Sequence, residues 1–292
     1  MRALSLPFRL AAVIAAAALL AACGDQSGPQ AGFAAPPPSA ASGDTLAAVK
    51  AKGSLVIGVK YDTRPFGFVP EGQAEPVGFD IDLATEFAHR LGVEPQFVQV
   101  TTQNRMLNLE TGKIDMIMAS MIRTPEREKA IGFSIDYFSD QQLLLVPTGS
   151  RIRGIGDINA TTTVALAQGG AEEANLRKVA PDAQIIAYQS WPDALQAMLR
   201  GEADAVTSTL GLLYGLSESA KAAGAAVQIV GDGFADGPVG AGFRLGDDGL
   251  RKAFNDTLVD MAEDGTYATI SDKWWGELMD KPYAIDTSRS GT

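Results

Sequence analysis

The chain has one cysteine and one histidine in 292 residues. With Cys23 alone, no intrachain disulfide can form. A zinc site needs a cluster of Cys and His ligands, so no metal is expected, and no cofactor either. His89 lies near the end of a predicted helix among polar neighbours. It reads as a surface residue or as compensation of the helix C-terminal dipole. Basic residues are also short: 24 Lys and Arg face 35 Asp and Glu, for a formal charge of −11. Such a surface excludes nucleic-acid binding through phosphates and docking on anionic lipid through a basic patch. The apolar run at residues 10–20 falls short of the roughly 20 residues needed to span a bilayer. No internal repeat is evident.

Apolar material is ample: 46% of the residues are hydrophobic, enough to bury a sizeable core, expected in two lobes. The first 22 residues read as a targeting segment, with Arg2 and Arg9 before the apolar run. Residues 20–23, Leu-Ala-Ala-Cys, resemble the lipobox of bacterial lipoproteins, in which the cysteine becomes the lipidated N-terminus. The alternatives are a core thiol or a plain signal peptide cut nearby. Residues 23–45, rich in Gly, Ala, Ser and Pro, read as a flexible tether.

Beyond the tether, short apolar strands alternate with helical patterns, which predicts an α/β architecture with mainly parallel sheets. A helix is expected at 46–52 and a buried strand at 55–60 (LVIGVK). The turn after that strand places Tyr61, Asp62, Arg64, Pro65 and Phe66 at its C-terminal end, where open α/β sheets bind ligands. A helix at 78–91 has Asp80 or Asp82 as a possible cap. A half-buried strand at 96–100 precedes a helix whose apolar face includes Met106, Leu107 and Leu109. Residues 114–119 (IDMIMA) read as a strand buried on both faces. It ends at Ser120, and Thr124 then caps a short helix with Pro125 as its first residue. Hydroxyls, a helix N-terminus and Arg127 together make an anion pocket. Otherwise Arg127 forms a surface ion pair with Glu126 or Glu128.

Further strands are expected at 141–146, 163–167, 184–187 and 203–207, with helices at 172–179 and 192–200. The turn Gln168-Gly169-Gly170-Ala171 offers bare N–H groups to an anion but lacks the G-K-[ST] of a phosphate loop. Helices at 247–263 and 266–277 close the chain, with Trp274 and Trp275 expected in core packing.

The pattern D-x-I-x-x-S-x-x-x-T-x-E-R-x-x-x-I-x-F-S, carried by Asp115, Ile117, Ser120, Thr124, Glu126, Arg127, Ile131, Phe133 and Ser134, resembles the signature of the bacterial family 3 extracellular solute-binding proteins. Those are polar amino-acid receptors of ABC importers, and the similarity runs through nearly all of 46–277. The resemblance implies a two-lobed periplasmic-binding-protein fold with two hinge strands. One lobe would hold 46–141 and 239–283, the other 144–237, with a tail at 284–292. It implies that Arg127 holds the ligand's α-carboxylate, with Phe66, Ser120 and Ile122 in the same site. Asn104-Arg105 resembles the subset that binds glutamate or aspartate, which puts Arg105 on the side-chain carboxylate. Lys60 stands where relatives specific for basic amino acids carry an acid and acidic-ligand relatives an arginine. The alternative has Lys60 pointing to solvent and Arg105 paired with a local acid such as Glu110.

Two departures stand out. Gly170 and Ala171 replace a threonine that helps hold the α-carboxylate, leaving backbone contacts only. Thr209 falls where many relatives have the aspartate that pairs with the ligand's ammonium. Glu172 or Glu173 would have to substitute, or the ligand carries no amine. The function implied is capture of a polar, acidic amino acid for ABC permease subunits, by a monomer lipid-anchored outside the cytoplasm. Two rivals stay open: a cyclohexadienyl-dehydratase-like enzyme, for which His89 is poorly placed as general acid, and a sensory lipoprotein.

Overall fold

The computed structural model describes residues 45–279, 282–286 and 288. The segments read as targeting peptide, lipidated Cys23 and tether up to residue 44 lie outside the described residues, as do parts of the predicted tail. Among the described residues no helix is long and apolar enough to cross a membrane.

Helix α1 (Thr45–Lys52) leads into β1 (Ser54–Val59), buried except at the half-buried Val56. A small hairpin follows, β2 (Asp62–Thr63) and β3 (Gly67–Phe68), then α2 (Phe79–Leu91), β4 (Glu94–Gln99), α3 (Arg105–Glu110), β5 (Met116–Met118), α4 (Pro125–Glu128) and β6 (Ile131–Phe133). The long β7 (Phe138–Pro147) carries the chain on to β8 (Thr163–Ala167), α5 (Glu172–Val179), β9 (Gln184–Tyr188), α6 (Trp191–Leu199), β10 (Ala205–Thr209), α7 (Leu210–Ala222) and β11 (Val227–Val230). Then β12 (Asp236–Val239), β13 (Gly242–Arg244), α8 (Asp248–Glu263) and α9 (Thr266–Trp275) complete the order.

The strands form two main sheets, in the orders β4-β1-β5-β13-β6 and β11-β7-β10-β8-β9. Each is mixed, where mainly parallel sheets were expected. The pairs at the βαβ units are parallel: β1 with β4 and β5, and β8 with β9 and β10. Antiparallel pairs arise where the chain passes between sheets. The first half of β7 pairs with β12 (Phe138↔Val239 to Gln141↔Asp236), and its second half pairs with β10 and β11. Beyond β12 the chain re-enters the first sheet as β13, antiparallel to β5 and β6. The two sheets are therefore joined by a two-stranded ribbon, and the fold is two-lobed α/β.

An aromatic cluster sits beside this ribbon. Trp275 is stacked on Phe138 (centroids 4.5 Å, 21°) and meets Phe66 and Phe79 edge-on at 5.0 and 5.4 Å. Such pairs add about 0.5–1.5 kcal/mol each beyond burial. They also join β7, α9 and the turn after β1 into one body.

Three expectations fail locally. Asp80 and Asp82 do not cap α2, whose N-cap Gly78 makes no side-chain bond. Asp80 turns inward, and Asp82 accepts from Trp274 Nε1 (2.7 Å) and Lys273 Nζ (2.6 Å) on α9. Leu107 is 58% exposed, because α3 is only six residues long and its inward position is taken by Arg105. The strand expected at 203–207 is β10, two residues further on, which puts Thr209 at its end. Helix α7 and strand β11 were not foreseen.

Candidate functional site

The C-terminal ends of β1 and β5 open on one cleft, across from the turn between β8 and α5 and from the end of β10. Its walls include Phe66, Thr102, Arg105, Ser120, Ile122 and Arg127 on the first-sheet side. Ala171, Glu172, Trp191, Thr209 and Leu212 stand opposite, with Val239 of the ribbon. The cleft is narrow, with a volume of ≈ 10 Å³, room for about one water. A larger ligand enters only when the two walls move apart.

Arg127 is placed by α4 as its sequence requires: Thr124 Oγ1 accepts the Arg127 amide at 3.3 Å, and Pro125 opens the helix. The guanidinium donates to the carbonyl oxygens of Ile122 (2.5 Å) and Gly169 (2.8 Å). It therefore faces the cleft. The surface pairing goes elsewhere, since Glu128 is held by Arg123 at 3.2 Å. Ser120 has φ 42, the one positive-φ residue other than glycine among the described residues. A serine held there is strained. Its amide donates to Asp80 Oδ2 at 2.7 Å, and Tyr137 Oη donates to Asp80 Oδ1 at 2.8 Å. Burial pushes the Asp80 carboxyl up to about 7, against the pull of those two bonds and of Arg105.

Arg105 is 3% exposed and donates through Nη1 to Ala119 O at 2.6 Å. Its Nε has no partner, and burial first, then neighbouring Arg127, lowers its pKa to about 9. It does not pair with Glu110. Lys60 does not point to solvent either: it is 1% exposed, with Nζ 3.0 Å from Asp62 Oδ1 and 3.5 Å from Thr102 Oγ1. It stands behind Thr102 and outside the cleft wall. Burial lowers its pKa while Asp62 opposes the shift.

On the far wall, Glu172 is 5% exposed. Its Oε1 accepts from Ser208 Oγ at 3.1 Å and its Oε2 has no partner. Gly170 lies outside the wall, and a Cβ there would strike Glu172 Oε2. A glycine at position 170 thus leaves room for the side chain of Glu172. Glu173, in contrast, is on the surface with Arg177 at 3.0 Å. Thr209 lines the cleft at the start of α7, above Asp140, whose Oδ2 accepts the Gly211 amide at 2.6 Å. Burial pushes Asp140 up to about 7.

Of nine expected binding residues, the cleft wall holds Phe66, Arg105, Ser120, Ile122, Arg127, Ala171 and Thr209, and it leaves out Lys60 and Gly170. Thr102, Trp191, Leu212 and Val239 were not foreseen as wall residues. Trp191 had a usable signal: it follows the C-terminal end of β9, the same rule that located Phe66. Among the described residues no group of three or more His, Cys, Asp and Glu could hold a metal ion. His89 is exposed on α2, away from the cleft. The arrangement presents two arginines to an anion and one buried, half-satisfied carboxylate to a cation, side by side.

The sequence pattern of the bacterial extracellular solute-binding proteins, family 3, matches residues 55–277. The ABC transporter glutamine-binding protein GlnH of Bacillus subtilis (strain 168) is 37% identical over 259 residues, 88% of this chain and 92% of that one. The glutamine-binding protein of Geobacillus stearothermophilus is 36% identical over 183 residues, 62% of this chain and 70% of that one. Among solved structures, the ancestral amino acid-binding protein AncCDT-1, a precursor of cyclohexadienyl dehydratase, superposes with a TM-score of 0.71 at 31% identity, covering 79% of this chain and 99% of that one.

Proposed function

The chain belongs to the bacterial extracellular solute-binding proteins, family 3, and from that premise we propose that it is the amino-acid receptor of an ABC importer, taking glutamine or glutamate between its two lobes. One observation carries this: a buried glutamate oxygen without a partner faces two arginines across a narrow cleft. An α-amino acid is complementary to that arrangement. Its carboxylate takes two parallel bonds from Arg127, and its ammonium takes the open oxygen of Glu172 in place of the aspartate that Thr209 replaces. Arg105 then has a free, buried Nε–H for the oxygen of the side chain.

Lys60 and Arg105 together would favour a second carboxylate. Asp62 neutralises Lys60 at 3.0 Å, so one of those two cations is already paired. A side-chain oxygen is still required, but a net negative charge is not. The Bacillus and Geobacillus relatives are glutamine-binding proteins, which adds weight to the amide. With Arg127 taken by the α-carboxylate, the side chain of a basic amino acid would meet Arg105 and be rejected. We assign residues 46–141 with 239–283 to one lobe and 144–237 to the other. The lipid anchor at Cys23 would hold the receptor near permease subunits that sense the closed form. An enzyme on this frame needs a general acid in the cleft; His89 does not supply one, and Glu172, the carboxyl that lines it, holds the ligand's ammonium in this reading.

A ligand that binds only the folded state raises the melting temperature. Glutamine and glutamate are expected to raise it, and arginine, lysine and histidine are not. A melting temperature indifferent to every amino acid would overturn the assignment.

A further inference from the structure

Given that the cleft takes an amino acid, as proposed above, we propose that Trp191 is the specificity-determining wall that sets how long a side chain it accepts. Trp191 and Leu212 are the two residues shared between the cleft and a second cavity. That cavity has a volume of ≈ 150 Å³ against ≈ 10 Å³ for the cleft itself. It lies between the β2 turn and helices α6 and α7, with Asp62 and Arg64 on one side and Leu195, Gln196 and Ser219 on the other. None of Arg105, Ser120, Arg127 and Ala171 lines it, so Trp191 and Leu212 alone form the wall between the two spaces.

The partition is firmly held. Trp191 is 2% exposed and is the first residue of α6. Ser190 caps that helix, its Oγ accepting the Asp193 amide at 3.2 Å, and Pro192 fixes the first turn. The indole is therefore carried on a backbone with little freedom. Removing it would join the cleft to a larger space whose polar groups, Asp62, Gln196 and Ser219, suit the N–H donors of a longer side chain. The ligand class admitted would be amino acids with a ureido or similar terminus on a longer stem.

L-Citrulline tests this, because its ureido terminus sets glutamine's carbamoyl group further out by one methylene and one N–H. Calorimetry would compare glutamine and citrulline on the wild type, Trp191→Ala and Trp191→Phe. One methylene in a pocket discriminates by roughly 10–200-fold. The ratio of citrulline to glutamine affinity is therefore expected to rise at least about tenfold in Trp191→Ala. It should rise less, but in the same direction, in Trp191→Phe, which decides the matter if the alanine variant does not fold. Equal weakening of both ligands, or an unchanged ratio in a folded variant, would overturn the role of Trp191 while leaving glutamine binding by the wild type intact. A wild type that binds neither glutamine nor glutamate would overturn the function proposed above instead.

Discussion

Arg127 Nη2, on one wall of the cleft, donates at 2.8 Å to the carbonyl oxygen of Gly169, in the turn between β8 and α5. One side chain thus makes this contact between the two lobes and is also the proposed anchor for the ligand's carboxylate. A charge-assisted bidentate bond is worth about 1.5–3 kcal/mol. Arg127→Ala is expected to weaken glutamine binding by roughly ten- to a hundredfold, with far-UV circular dichroism unchanged. Arg127→Lys should recover little, since a point charge cannot reproduce the planar fork. Near-normal affinity in the alanine variant, measured by calorimetry, would remove Arg127 from the site.

Glu172, the proposed partner of the ligand's ammonium, should separate ligands by their amine. Glu172→Gln keeps the shape and the bond to Ser208 but removes the negative charge. Binding of glutamine and glutamate should fall on the order of tenfold or more. Glutarate, which has glutamate's carboxylates and no amine, should be unaffected or bind better. Equal losses for glutamate and glutarate would show that Glu172 does not hold the ammonium.

Local chemistry was legible in the sequence and distant packing was not. The Thr124 cap and Pro125 follow from neighbours in the chain, as does the start of α5 at Glu172, whereas the direction of Arg127 stayed open between a pocket and a surface pair. The state of Lys60 depended on whether the β2 turn would bring Asp62 back against it, which no propensity records. Glu172 was one of two candidate acids, and only the burial of α5 separated it from Glu173. Helix α7 was hidden because Gly211 and Gly215 lower its helical signal by about 1 kcal/mol each. Both glycines are demanded from outside the helix: a Cβ on Gly211 would come 2.8 Å from the Trp275 ring, and one on Gly215 would lie 2.6 Å from the Arg64 carbonyl carbon.

That last contact makes Gly215→Ala informative. Inside an isolated helix the change is stabilising by about 0.5–1 kcal/mol. Here the new methyl would press on the backbone of the turn that carries Phe66 and force α7 away from it. Helicity should be retained, while glutamine affinity falls about tenfold and the radius of gyration with saturating glutamine exceeds that of the wild type. Small-angle scattering and calorimetry that match the wild type would show that the close approach of α7 to Arg64 is not needed for closure.

Asp80 gives the protein a pH dependence of defined sign. Burial raises its carboxyl from 3.8 to about 7 in the folded state, so the fold prefers the protonated form. Between those values the native chain holds a proton that the unfolded chain has released, and stability falls as pH rises. The contribution is fully present below about pH 4, is lost as pH climbs towards 7, and is flat above that. Asp140, also pushed up to about 7 by burial, acts in the same direction. The urea midpoint should therefore be higher at pH 5 than at pH 8. Asp80→Asn can keep an acceptor for the Ser120 amide and present a neutral group to Tyr137, so it should flatten the dependence without collapsing the site. Adding Asp140→Asn should flatten it further. A wild-type slope of the opposite sign, or one untouched by both substitutions, would show that these carboxyls stay ionised in the folded chain across that range.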